Sequence, residues 1–497
     1  MPRKRTVVLV QPHIGEWDWV RSRPHFPLGL LHAASAVAQK YPVALIDQRV
    51  EKDWKEQLER HLEEEPLCVA LTSMSGSQIA HALSASRFVK KRSRVPVIWG
   101  GLHASMLAEQ TLAHPSIDIV VRGEGEETFL ELVQALEGGA SLEKVRGISF
   151  LENGHPVHTE PRDLLDMERL PEVPYHLVTV RDYMPSFRGV PSLNMETSRG
   201  CPNRCTYCYN FRYNRRRWRA QGPDRVIARL RHVAATYGVR GIYFTDDNFF
   251  ADVRRGLAIA RRILDEGLQL QWQLQGVEIK TILQMSEADL DLLEASGCVR
   301  FSFGADSGSD RVLQRLRKNH TVRDIIEVNR RLAGRDITIY YSFISGMPGE
   351  TLDDLTRTKD LALRLTRENR NARVSPIYNY FPFPGAELYD ELIRSFGYVP
   401  PQSLEEWSRI DYGSVNLPFL DPAIRKTLER LYVPSLCIDR KFHEYNTSSL
   451  LRLALDLYRP LARLRVERMW LGWPCETRLA GMYRTVRSAM MRGVCED

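Results

Sequence analysis

Between residues 7 and 121, short apolar runs alternate with stretches whose apolar positions recur every three or four residues. Strands buried on both faces by helices carry this pattern. The runs at 7–11, 43–47, 68–72, 95–100 and 117–121 predict five strands with four helical segments between them. The fold class expected is α/β, a doubly wound parallel sheet whose ligands sit outside the strand carboxyl ends. Between 152 and 190 the periodicity fails and Pro156, Pro161, Pro171, Pro174 and Pro185 gather, which predicts a loop-rich connector. Strand-and-helix units resume at 192–196 and recur near 241–245, 270–275, 299–304, 337–345 and 374–380. Six such units are too few for a closed eight-stranded barrel. Past Pro384 the chain turns helical, with Leu450, Leu453, Leu457, Leu461 and Leu464 at helical spacing. Pro460 is expected to kink that helix or begin a new one.

The 497 residues therefore divide into a first domain at 1–150, a linker at 151–190, a second α/β domain at 191–384 and a helical region at 385–497. No apolar run approaches the roughly 18 to 20 residues of a membrane-spanning helix. The basic start leads straight into a strand, so no secretory signal is expected. The scattered Cys68, Cys298, Cys437, Cys475 and Cys495 make no disulfide framework, and a reducing cytoplasm is expected. The net charge of +7 is concentrated late, since Lys and Arg outnumber Asp and Glu beyond Arg425. A basic tail with Arg452, Arg459, Arg463, Trp470 and Trp473 fits either a helical cap on the barrel mouth, the favoured reading, or contact with a membrane surface. Arg212, Arg215, Arg216, Arg217 and Arg219, interleaved with Tyr213 and Trp218, read as an anion-pairing or solvated face more readily than as a nucleic-acid site. No nucleic-acid partner is expected.

One stretch carries distinctive chemistry: Cys201, Cys205 and Cys208 are spaced C-x3-C-x2-C. Three thiolates on a short loop suit three corners of a cubane iron–sulfur cluster, leaving the fourth iron open. A structural zinc site needs a fourth ligand at comparable spacing, and none is nearby. Pro202, Tyr207 and Tyr209 suit a shielded cofactor loop. In the first domain, the strand ends carry Gln11-Pro-His13-Ile-Gly15, Thr72-Ser73-Met-Ser75-Gly76, Gly100-Gly101-Leu-His103 and Arg122-Gly123-Glu124-Gly125-Glu126. Small residues there allow a flat ligand to approach the backbone. For any one loop, ordinary strand-to-helix turn chemistry is the favoured account, and only the four together point to a ligand.

The cysteine loop resembles the signature of the radical S-adenosylmethionine (radical SAM) enzymes, including the aromatic Tyr207 before the third cysteine. That resemblance implies a 4Fe-4S cluster held by the three cysteines, with SAM on the open iron. It also implies a partial (β/α)6 barrel. Asp246 and Asp247 after the second strand resemble the motif facing the methionyl amino group. Asp306-Ser307-Gly308-Ser309 resembles the motif reaching the methionyl carboxylate or ribose, with aspartate where glutamate is usual. The loop at Gly346 resembles the one near adenine. In isolation these motifs read equally as helix caps and tight turns; their order after the cysteines carries the resemblance.

The preceding domain resembles the cobalamin-binding domain of a subset of these enzymes, implying a corrin over Thr72, Ser73, Gly100, Gly101, His103, Gly123 and Glu124. The D-x-H-x-x-G motif that supplies a cobalt-ligating histidine is absent. The resemblance implies a cobalamin-dependent radical SAM methyltransferase acting on unactivated carbon or phosphorus, through methylcobalamin and a 5′-deoxyadenosyl radical. A flavodoxin or ferredoxin would donate electrons, and the substrate would be a small or lipid-like molecule. A radical SAM cyclase without methyl transfer is the main alternative. A tRNA methylthiotransferase would need three cluster cysteines in the first domain, which has only Cys68. A corrinoid or redox sensor would leave the SAM motifs unexplained.

Overall fold

The computed structural model describes residues 4–15, 18, 23–410, 417–444 and 449–472, without the side chains of Phe442, Leu450 and Leu451. The first sheet holds β1 (Val7–Gln11), β2 (Val43–Asp47), β3 (Cys68–Thr72), β4 (Val97–Gly100) and β5 (Ile119–Val121), continued by β6 (Ile148–Glu152) and β7 (His155–His158). Its order is β2-β1-β3-β4-β5-β6-β7, with the first five strands parallel. The order reverses between β1 and β3, as a doubly wound sheet requires. β4 begins after Pro96, which has no N–H for the ladder.

The domain boundary expected at 150 falls inside a hairpin. β6 pairs antiparallel with β5 and then with β7, so the sheet runs on to His158 into the presumed linker. Asn153 and Gly154 both adopt positive φ, 51° and 82°, as a two-residue hairpin turn demands.

β8 (Ser186–Phe187) and β9 (Val190–Met195) open the second sheet. A short ladder of β10 (Ser198–Arg199) and β11 (Arg219–Ala220) closes the base of the cysteine loop. The second sheet continues with β12 (Gly241–Phe244), β13 (Gln271–Val277), β14 (Cys298–Asp306), β15 (Thr338–Ser345) and β16 (Ala372–Asn379). Its order is β16-β15-β14-β13-β12-β9-β8, with six parallel strands and β8 antiparallel at one edge. The six expected strand units are all present. The sheet is open because β8 and β16 remain its two edges.

The chain after the barrel returns to the first domain. The Trp407 ring meets His103 edge-on at 5.4 Å, its Nε1 donates to Gln110 Oε1 at 2.7 Å, and Glu405 pairs with Arg87 and His114. Helix Pro422–Leu436 then packs on β16. The last described helix, Ser449–Glu467, runs through Pro460 rather than ending there. It rests on helix Leu352–Glu368 through buried Ala462 and Val466. Its leucine stripe is not a cap on the barrel: Leu453 is 57% exposed and Leu457 75%, with Leu461 and Leu464 also facing outward. Trp473 and the Leu450 side chain lie outside the described residues.

Candidate cofactor site

The carboxyl ends of β3, β4 and β5 face those of β9, β12 and β13 across a cavity of about 310 Å³. It is lined on one side by Thr72, Gly100, Gly101, Gly123 and Glu124, and on the other by Glu196, Arg199, Tyr209, Thr245 and Asp247.

The cysteine loop is built without help from its thiols. Asp246, buried at the end of β12, accepts from Thr197 N (2.8 Å), Thr197 Oγ1 (2.6 Å) and Ser198 Oγ (2.6 Å). Asp247 accepts from Gly200 N at 3.0 Å and Tyr209 Oη at 3.3 Å. Gly200 has φ +84°, and a Cβ there would run into the Arg217 carbonyl oxygen. Cys201, Cys205 and Cys208 are all free and half-buried. Burial pushes the Cys201 thiol up to about 12 and Cys208 to about 11, so without a metal they keep their protons. Metal coordination removes such a proton outright. Among the described residues no three His, Cys, Asp or Glu side chains close around a single ion. A cubane places each thiolate on a different iron, a wider arrangement than one ion needs. Three thiols on one loop suit three corners of such a cluster.

The residues assigned to SAM by their motifs separate into two groups. Asp247 lines the cavity. Asp246 does not: both its oxygens are taken by the base of the cysteine loop, so it braces that loop instead of facing a ligand. Burial raises its pKa to about 6. Ser307 Oγ bonds Thr358 Oγ1 at 3.1 Å, and Ser309 Oγ donates to Asp354 at 2.6 Å, which fastens the loop after β14 to helix Leu352–Glu368. Their hydroxyls are thus engaged in packing. Asp306 accepts from Tyr207 Oη at 2.7 Å and pairs with Lys318 Nζ at 2.9 Å, so its carboxylate is engaged by its own neighbours. Gly346, with φ +92°, has its N–H bound to Glu350 at 2.6 Å, and its α-carbon faces Leu420 and Leu428.

Of the corrin set, Gly101 has φ +89°, and a Cβ there would lie 2.7 Å from both Ser73 O and Thr72 Oγ1. Ser73 and His103 lie behind the cavity wall rather than on it. His103 Nδ1 sits 2.9 Å from Ser75 Oγ, and burial lowers its pKa to about 4, so the ring is neutral beneath Trp407. Glu124 borders the cavity, yet its carboxylate is occupied by Arg199, Arg219 and the Leu165 N–H. The arginine run pairs internally as well: Arg212 with Asp390, Arg216 with Glu387, and Arg215 with the Arg162 carbonyl.

Two family profiles match the chain, the Radical SAM superfamily over residues 195–362 and the B12 binding domain over residues 20–133. An uncharacterised methyltransferase of Pyrococcus horikoshii is 30% identical over 411 residues, covering 82% of this chain and 87% of that protein. The chain belongs to the cobalamin-binding radical SAM enzymes. This radical SAM enzyme is also 26% identical over 484 residues to cytidylyl-2-hydroxyethylphosphonate methyltransferase of Streptomyces wedmorensis, covering 84% of the chain and 87% of the relative. Its fold matches that of the radical S-adenosylmethionine methyltransferase TsrM from Kitasatospora setae, solved with cobalamin and a [4Fe-4S] cluster. The TM-score is 0.68 at 18% identity, over 96% of this chain and 100% of that one. The enzyme's cofactors are a 4Fe-4S cluster, SAM and cobalamin.

Sequence reasoning missed Lys318, Arg199, Glu126 and Glu196. Arg199 lies two residues before Cys201, and three acids at strand ends that meet in one cavity call for a cation. Lys318 has no such signal, because nothing in its local pattern points toward Asp306 twelve residues back.

Proposed function

We propose that this radical SAM enzyme transfers a methyl group to an unactivated carbon or phosphorus centre of a small molecule. One observation carries the reading: the cysteine loop and the glycine-rich ends of the first sheet meet at a single cavity. Methyltransferases among its relatives support it. When bound, the corrinoid supplies the methyl group, and SAM at the cluster supplies the radical that removes hydrogen from the substrate. Cys201, Cys205 and Cys208 would hold three irons of the cluster. Asp247 and Tyr209, which line the cavity, would orient the methionyl end of SAM, and the Asp306–Lys318 pair holds the Tyr207 hydroxyl in place. Thr72, Gly100, Gly101 and Gly123 would form the corrin cradle. A flavodoxin or ferredoxin in the cytoplasm donates the electron.

With SAM labelled on its methyl group, extracts of the parent cell are expected to yield a labelled product, with S-adenosylhomocysteine and 5′-deoxyadenosine released together. Product lacking the label, with 5′-deoxyadenosine alone, establishes the ring-forming or oxidative alternative.

We also propose peripheral contact with lipid for the outward face of helix Ser449–Glu467. Leu453, Leu457, Leu461 and Leu464 share this face, Trp470 follows at 55% exposure, and Arg452 and Arg468 lie nearby. No helix among the described residues is long and apolar enough to cross a membrane. Replacing Leu453 and Leu457 by glutamate is expected to abolish cosedimentation with vesicles containing phosphatidylglycerol. Equal binding by the variant and the parent protein removes the membrane role.

A further inference from the structure

The cysteine loop leaves the barrel and returns to it through β10 and β11, and in that ladder Arg199 stands directly opposite Arg219. Two like charges facing each other across a ladder destabilise it unless something lies between them. Here it is Glu124, from the loop after β5 of the other domain. Its carboxylate receives Arg199 Nη1 at 2.8 Å and Arg219 Nη1 at 2.9 Å. Arg199 also reaches Glu126 at 2.6 Å, in the first turn of the helix that follows that loop, and Glu196 at 2.7 Å, at the end of β9. Tyr213, inside the cysteine loop, donates to the Gly123 carbonyl at 3.1 Å. Glu124 and Glu126 are only 5% and 2% exposed, and Arg199 11%. The pairs are thus shielded from solvent, and a charge left without its partner there is strongly penalised.

We infer that this clamp is a positioning device that fixes the separation between the corrin cradle and the iron–sulfur cluster. Its two ends are the stretch beside the cradle, Gly123 to Glu126, and the base of the loop that carries Cys201, Cys205 and Cys208. Arg199 is two residues from Cys201, and Gly123 lines the cradle wall. Little flexible chain separates the clamp from either cofactor. Arginine suits the task because its planar fork bridges two carboxylates in fixed geometry, which lysine does not. A substrate that must meet both cofactors in one cavity is sensitive to their spacing, and a displacement of about 1 Å costs on the order of 10²-fold in rate. The inference rests on the proposed assignment of cluster and corrin to these two loops.

The test is the dipolar coupling between cob(II)alamin and the reduced cluster in reconstituted enzyme, read by pulsed electron paramagnetic resonance. The parent protein is expected to give one narrow distance. Glu124→Gln keeps the shape and removes the charge shared by both arginines, and is expected to shift that distance by about 1 Å or broaden it. Arg219→Met removes one arm, a milder change should Glu124→Gln fail to fold, and is expected to act in the same direction. Arg199→Lys is expected to restore only part of the narrow distribution. A narrow, unmoved distance in folded, fully loaded Glu124→Gln or Arg219→Met overturns the inference. So does loss of corrinoid with the cluster intact, which would make the carboxylate part of the cradle. Failure of the underlying assignment looks different, because the parent protein itself would then lack one of the two signals.

Discussion

Alanine at Cys201, Cys205 and Cys208 together is expected to remove the cluster and with it all reductive cleavage of SAM, the largest functional loss any small substitution here should produce. On the proposed assignment, each thiolate would be one of three protein bonds to a four-iron cluster whose fourth iron is left to SAM. The parent protein, reconstituted without oxygen, should carry about four irons and four sulfides per chain. The fold should survive the change, because the loop is held by groups other than sulfur. Asp246 gathers Thr197 and Ser198, Asp247 holds the Gly200 N–H, and Thr206 N bonds Leu316 O at 3.1 Å. A native circular dichroism spectrum with no iron is therefore the expected signature. If the triple variant keeps its iron and still releases 5′-deoxyadenosine, the cluster is elsewhere.

Lys318→Met is expected to be the most destabilising single change near the site, by about 3–5 kcal/mol, the cost of stranding one member of a buried ion pair. Lys318 is 6% exposed and Asp306 1%. Without the ammonium, Asp306 keeps only the Tyr207 hydroxyl as a side-chain partner, at a position whose φ of +59° already strains a non-glycine backbone. Burial alone would depress the lysine, yet Asp306 and Tyr207 hold it well above its ordinary pKa. Adding Asp306→Asn to Lys318→Met should recover most of the loss, since the remaining polar group is neutral. Urea unfolding of the single and double variants measures both effects. A single-variant loss below about 1 kcal/mol would show that water or a rearranged neighbour satisfies Asp306.

The elements that sequence periodicity located best are those whose pattern is enforced by burial on both faces. β1, β2 and β3 match their expected limits because most of their residues are removed from solvent, so an apolar run marks each strand up to its polar carboxyl end at Gln11, Asp47 and Thr72. The hairpin of β6 and β7 went unread although Asn153-Gly154 is a strong turn signal, because β7 is largely exposed and Pro156 suggested a loop. At Pro460, where a kink or a new helix was expected, one helix runs on from Ser449 to Glu467; a proline removes one hydrogen bond, and packing elsewhere along a helix can keep it continuous.

The sequence by itself determined the fold class, the succession of two α/β domains and the three cysteines. Each depends on spacing within a few residues or on a period along one element, and both are local properties of the chain. Which motif residues face the cavity was decided only by the tertiary structure. Asp246 and Asp247 are neighbours and both brace the loop, yet only Asp247 also lines the cavity, since adjacent side chains leaving a strand end point in different directions. Glu124, legible as a ligand contact, instead joins Arg199 and Arg219 between domains. Lys318 closes on Asp306, and Trp407 covers His103 from hundreds of residues away. These partnerships arise from buried charges and rings seeking complements wherever packing brings them, and separation along the chain carries no record of that choice.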